Sequence, residues 1–148
     1  MRAIVQRVKY AKCHIDGQVY SSINQGFLVL VGFKDSDGNQ EIVKVAKKVA
    51  NLRVFSDEEG KMNKDLKSVS GEILSISQFT LYGDCAKGNR PSFIAAKEPI
   101  AASSMYDAFN TELRTYGIDV KTGIFQSDMQ IEAINDGPVT IIIDSDSL

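Results

Sequence analysis

From Met1 to Tyr10 the side chains alternate, with Ile4, Gln6 and Val8 to one side and Ala3, Val5 and Arg7 to the other, which predicts a strand. A second alternating stretch, Cys13 to Tyr20, is centred on Asp16-Gly17, a two-residue hairpin signal. Phe27 to Phe33 is apolar on both faces and predicts a buried central strand. Ser36-Asp37-Gly38 then offers a helix cap, after which Ile42, Val45, Ala46, Val49 and Ala50 recur at helical spacing with lysines between them.

Leu52 to Phe55 returns to strand character, Ser56 to Gly60 reads as a turn, and Ile73 to Leu81 as another apolar strand. Gly83 to Pro91 is the longest polar loop. Pro99 suits the first position of a second helix, whose stripe is Ala102, Met105, Tyr106, Phe109, Leu113 and Tyr116, with Gly117 closing it. Two last strands, Met129 to Ile134 and Val139 to Ile143, are expected to meet through a turn at Asn135-Asp136-Gly137-Pro138. About seven strands and two main helices, not in strict alternation, predict an α+β fold in which the helices cover layered, mainly antiparallel, barrel-like sheet.

Composition changes this picture little. The chain has 148 residues, of which 43% are hydrophobic and 24% charged, with no linker, repeat or low-complexity segment, so residues 1–148 are expected to form one domain. No run is long enough to cross a membrane as a helix, and the early cations without an apolar core region do not suit a signal peptide. Cys13 and Cys85 read as reduced thiols of a cytoplasmic protein. The net charge of -2 disfavours a broad nucleic-acid footprint, so any RNA contact should be local.

Ordinary catalytic equipment is scarce. His14 is the only histidine, and its neighbour Cys13 points to the other face of the strand, so the two form no dyad. There is no CxxC or HxxxH spacing for zinc, no GxGxxG and no P-loop. Residue types alone leave either an enzyme without ordinary catalytic equipment or a binding module.

Seven segments decide between them: Gln6-Arg7-Val8; Phe55-Ser56-Asp57 with Gly60-Lys61-Met62-Asn63; Ser77-Gln78-Phe79-Thr80-Leu81; Arg90-Pro91-Ser92-Phe93; Thr122-Gly123 with Phe125; Asp128-Met129; and Asn135-Asp136-Gly137-Pro138-Val139-Thr140. In this order and over nearly the whole chain, they resemble the D-aminoacyl-tRNA deacylases, departing at Gln126-Ser127, where small residues are expected. The resemblance implies a cytoplasmic homodimer that hydrolyses the ester of D-aminoacyl-tRNA, touches mainly the acceptor end, and needs no metal or organic cofactor. It implies catalytic roles for Ser77, Gln78, Phe79 and Thr80, with backbone donors around Phe79 and Thr80 and the substrate's own ribose hydroxyl assisting water. Gly137 and Pro138, in a cis peptide braced by Arg7 and reaching into the partner's pocket, would exclude L side chains but pass glycine; Met129 would touch the substrate. Lys87, Arg90 and Lys97, or Arg2, Arg7, Lys9 and Lys12, are the candidates for phosphate contacts. The alternatives are an editing deacylase for mischarged L-aminoacyl-tRNA and a nucleic-acid-binding module without catalysis.

Overall fold

The computed structural model describes residues 1–148. Strand β1 (Arg2–Ile15) turns through Asp16 and Gly17, both at positive φ (51° and 76°), into β2 (Gln18–Ile23). This is the geometry that an Asp-Gly hairpin favours. β3 (Gly26–Gly32) follows, then helix α1 (Asn39–Ala50), a short hairpin of β4 (Phe55–Ser56) and β5 (Met62–Lys64), and β6 (Glu72–Ser77). A 3-10 turn (Phe79–Tyr82) precedes the long loop and helix α2 (Pro99–Thr115), and β7 (Val120–Thr122) and β8 (Gln130–Asp144) complete the chain.

The main sheet runs β2-β1-β3-β6-β7, with β8 added along β1. Its path nearly closes on itself, because Ser21 Oγ in β2 donates to the Thr122 carbonyl in β7 at 2.8 Å. The result is a barrel-like α+β fold with two main helices and mainly antiparallel pairing, as expected, although the sheet is mixed. β3 pairs with β6 in parallel, and β6 with β7. Each of those pairs is joined by a connection containing a helix, the crossover that parallel strands require.

Both faces of the sheet are buried, which accounts for the uninterrupted apolar run of β3. Phe27, Val29 and Val31 face a core shared with α1 and α2, whereas Leu28 faces a second cluster inside the curl with Val8, Ala11, Cys13, Leu74 and Ile76. β1 supplies both. Ala3 and Val5 point to the helices, and an extra residue between Val8 and Ala11, opposite a single step of β8, puts Ala11 and Cys13 on the same side as Val8. Met1 is fully buried, with its amine between the Asp37 carboxylate and Ser145 Oγ.

The helices follow the predicted stripes. Gly38 stands at the N-cap of α1 and its amide donates to Glu41; Asp37 takes the Met1 amine instead of capping. Pro99 opens α2, and Glu98 caps it by accepting from the Ile100 and Ala101 amides.

Three strand limits differ from expectation. β6 stops at Ser77, so Phe79 to Leu81 lie in the 3-10 turn instead of a strand. Leu52 to Phe55 contributes only Phe55 to β4, because Arg7 and core packing engage this stretch instead of a ladder. Residues 130–144 form one strand, and Asn135-Asp136-Gly137-Pro138 is a bulge within it rather than a turn between two.

Phe27 stacks on Phe55 with ring centroids 5.3 Å apart, tying the sheet to the β4–β5 hairpin. Phe27→Ala should cost about 3–5 kcal/mol through lost burial and a cavity, read as a lower denaturant midpoint. Val43→Ala on the exposed side of α1 should change stability by no more than about 0.5 kcal/mol.

Candidate active site

A cavity of about 660 Å³ opens where β3 and β6 end beside the start of α2. Its lining includes Ser77, Gln78, Phe79 and Met129 from the expected site, together with Phe93, Lys97, Glu98, Phe125, Gln126 and Ser127. The strand-to-turn switch after Ser77 builds its floor. Gln78 donates its amide to the Val31 carbonyl at 2.7 Å, and its own carbonyl passes so near Gly32 that an added Cβ there would lie 2.6 Å away. The chain then tightens into the 3-10 turn. The first amides of such a turn, Phe79 and Thr80, have no partner within it.

Phe79 is 57% exposed and meets Phe93 edge to face, with centroids 5.1 Å apart, at the cavity rim. Thr80 lies just outside the lining, and its Oγ1 accepts a hydrogen bond from Gln78 Nε2. On the opposite wall, Gln126 adopts φ 63°, a conformation that glycine accepts without strain, which gives a physical reason to expect glycine at that position. Gly123 leaves room for Met129, whose sulfur would be 2.4 Å from a Cβ at that position.

Arg7, Gly137 and Pro138 do not line this cavity. Gly137 and Pro138 form a separate, exposed feature on β8, with the largely buried Arg7 of β1 behind it. Between the pairs Gln6–Thr140 and Val8–Asn135, β1 advances two residues and β8 five, so three residues leave the ladder. Side chains close the resulting bulge. Asn135 Oδ1 accepts from the Val139 amide at 2.9 Å, and Asn135 Nδ2 donates to Thr140 Oγ1 at 3.0 Å. Arg7 Nε donates to the Asp136 carbonyl at 3.0 Å, and Arg7 Nη1 donates to the Val54 carbonyl. The Gly137-Pro138 peptide is cis. Gly137 has φ 130°, and a Cβ there would fall 2.8 Å from Val139 Cγ2 and 3.0 Å from an Arg7 nitrogen, so only glycine fits without displacement.

The cations divide clearly. Arg2 pairs with Asp144, Arg7 and Lys9 with Asp136, and Lys12 with Glu132, which leaves the N-terminal group largely neutralised. Lys97 Nζ is held by the carbonyls of Asp35 and Asp37, while Lys87 and Arg90, in the exposed loop, form no ion pair. His14 engages Glu132 at 3.1 Å, away from the cavity, and burial raises the Cys13 thiol above its ordinary range. No three His, Cys, Asp or Glu side chains converge as a metal cluster.

A family model described as D-Tyr-tRNA(Tyr) deacylase matches residues 4–144. The chain belongs to that family. The family's enzymes are hydrolases, and a curated relative from Thermus aquaticus, a D-aminoacyl-tRNA deacylase, is 52% identical over 145 residues, covering 98% of this chain and 95% of its own. Among solved structures, the c-Myc DNA Unwinding Element Binding Protein superposes with a TM-score of 0.91 at 39% identity, covering 97% of this chain and 98% of its own. A probable eukaryotic D-amino acid tRNA deacylase, at 16% identity and a TM-score of 0.82 over 96% and 97% of the two chains, shares the fold.

Sequence reasoning gave no cavity role to several residues that line it. Phe93 and Phe125 lay in the quoted segments without an assignment; Lys97 stood only among the candidate phosphate contacts and Glu98 carried no signal, because only the fold returns the loop to the end of β3 through the Lys97 amide and the Phe33 carbonyl. Arg2 stood out only as one cation among several. Its partner Asp144 has a lowered carboxyl pKa: burial opposes ionisation, but the Asp146 amide and the Arg2 guanidinium outweigh it. A carboxyl whose folded pKa is depressed contributes stability above its unfolded value and loses it as pH falls through the folded one. Thermal melts from pH 7 down to 2 should therefore show wild-type stability falling below about pH 4, and Asp144→Asn should lack that part of the fall.

Proposed function

We propose that the chain hydrolyses the ester joining a D-amino acid to the terminal adenosine of tRNA, in the cytoplasm, as a homodimer that needs no metal. The observation that supports this best is the division of the expected site into a cavity around Ser77–Phe79 and an exposed, side-chain-locked bulge at Gly137-Pro138. A bulge that does not serve its own cavity is shaped to enter that of a second copy. β8 has β1 along one edge only, so its other edge is open to a partner.

In the proposed reaction, water adds to the ester carbonyl, the carbonyl oxygen becomes an oxyanion, and the bond to the ribose oxygen breaks. The ribose oxygen takes up a proton as the free amino acid leaves. The amides of Phe79 and Thr80 supply the donors for the oxyanion, the kind of preorganised contact whose single loss costs about 10²–10³ in rate. Thr80 Oγ1 is already engaged by Gln78 and has no adjacent base, so a nucleophilic role does not suit it. The neighbouring ribose hydroxyl of the substrate orients the water instead. Gln78 and Ser77 shape the floor, Met129 and Phe125 the wall, and Phe79 with Phe93 an apolar rim for the adenosine. Lys87 and Arg90 are the cations free to meet phosphates, a small footprint suited to a chain of net charge -2.

The partner's Gly137-Pro138 forms the chiral wall, where an L side chain would collide and a hydrogen would not. Glycyl-tRNA therefore passes. In the presence of EDTA, D-tyrosyl-tRNA and glycyl-tRNA should be hydrolysed and L-tyrosyl-tRNA spared; equal release of D and L esters would refute the chiral reading. The cross-subunit arrangement has its own test. Gly137→Val and Phe79→Asp variants, each inactive alone, should recover about a quarter of wild-type activity when refolded together in equal amounts, because half the dimers are mixed and each regenerates one native site. No recovery in demonstrably mixed dimers would place both halves of the site in one subunit.

A further inference from the structure

Arg2 lies at the start of β1, outside the cavity, yet it makes three kinds of contact, two of them on the turn beside the site and the third on the end of β8. Its Nη1 donates to the Leu81 carbonyl at 2.8 Å, and its guanidinium lies over the Tyr82 ring, 5.1 Å from the centroid. Its Nε and Nη2 both donate to Asp144 Oδ2, at 3.0 and 2.9 Å. We propose that Arg2 is a positioning residue for the reaction, fixing the exit of the Phe79–Tyr82 turn so that the Phe79 and Thr80 amides keep their aim. The proposal rests on the reading of those amides as oxyanion donors.

The geometry of the turn explains why such a brace is needed. A single 3-10 turn has few internal bonds and poor hydrogen-bond geometry, so its shape is set by whatever holds its ends. The entrance is held by β3, through the Gln78 amide on the Val31 carbonyl and the close passage of Gln78 over Gly32. Beyond the internal bonds Leu81 N–H to Gln78 and Gly83 N–H to Thr80, the chain is tied at Asp84 by its paired bonds with Ser92, and the side chain that bonds the turn's own exit is Arg2. A charge-assisted bond to a carbonyl is stronger than a neutral one, and the two bonds to Asp144 fix the direction in which the guanidinium points. An ion pair with Asp144 alone would be a surface feature of little consequence. The contact with Leu81 links the pair to the site.

This predicts a loss of order confined to the turn. Arg2→Met should speed hydrogen exchange at the Leu81 and Gly83 amides, which are bonded within the turn, by roughly tenfold or more, without a comparable change at β6. It should lower kcat for D-aminoacyl-tRNA by about tenfold to a hundredfold, with KM within about twofold. Arg2→Lys, which keeps one charged donor, should recover part of both. A variant in the α2 core with the same loss of Tm, such as Phe109→Leu, should leave the two amides and kcat near wild type. Unchanged exchange at Leu81 and Gly83 in Arg2→Met, or an equal change in the matched core variant, would overturn the proposal. If wild type released no D-amino acid, the reading of the activity would fall, while the exchange comparison would still decide what Arg2 holds.

Discussion

Strand β1 is hydrogen-bonded on both edges over most of its length, and β8 must fit along it while advancing five residues where β1 advances two. The surplus has to leave the ladder, and the backbone groups it carries must find partners elsewhere. Arg7 resolves this at one point. It faces the helix side of the sheet in the same row as Ala3 and Val5, and its side chain is only 12% exposed. From there it donates to Asp136 on the bulge and to Val54 before the β4–β5 hairpin. One partly buried guanidinium thus joins three segments, and Asn135 closes the bulge from the other side. A lysine would offer a point charge in place of the fork and could not meet both carbonyls with the same geometry.

Local chemistry was legible in the sequence, and long-range pairing was not. Asp16-Gly17 needs no context to make its turn, and Pro99 with the Ala102-to-Tyr116 stripe carries its own start, face and stop. The β3 run announced burial on both faces. The parallel pairs β3–β6 and β6–β7 left no mark, because parallel and antiparallel strands bury the same side chains and differ only in how the chain returns. Asn-Asp-Gly-Pro has the composition of a turn; only the register with β1 shows that it is a bulge and that the strand continues beyond it. Likewise Ile73 to Leu81 keeps apolar residues at 73, 74, 76, 79 and 81, but the Val31 carbonyl captures Gln78 and the ladder ends.

The site shows the same division. The residues that the motifs singled out fall into two groups, Ser77 to Phe79 with Met129 at the cavity and Arg7 with Gly137-Pro138 at the bulge, and that division could not be read from order along the chain. Nor could the fate of the early cations. Arg2, Arg7, Lys9 and Lys12 look like a basic patch until the fold brings Glu132, Asp136 and Asp144 beside them from the far end of the sequence. Their charge is spent on architecture, which is consistent with a protein whose surface is not built to hold a long stretch of nucleic acid.

That use of charge bears on how a chain with one histidine can be an ester hydrolase. Backbone donors have no pKa to tune and no rotamer to select, so their only variable is direction, which the surrounding structure must determine. Here one end of the donor-bearing turn is tied to β3, the most buried strand, and the other to Arg2 at the beginning of β1. The bulge proposed to complete the neighbouring site hangs from Arg7, five residues further along the same strand. Two arginines on opposite faces of β1 therefore address the two halves of the proposed site. Movement of that strand relative to β3 or β8 would disturb catalysis and selection together, and this explains why β1 is paired on both edges and buried in two cores at once.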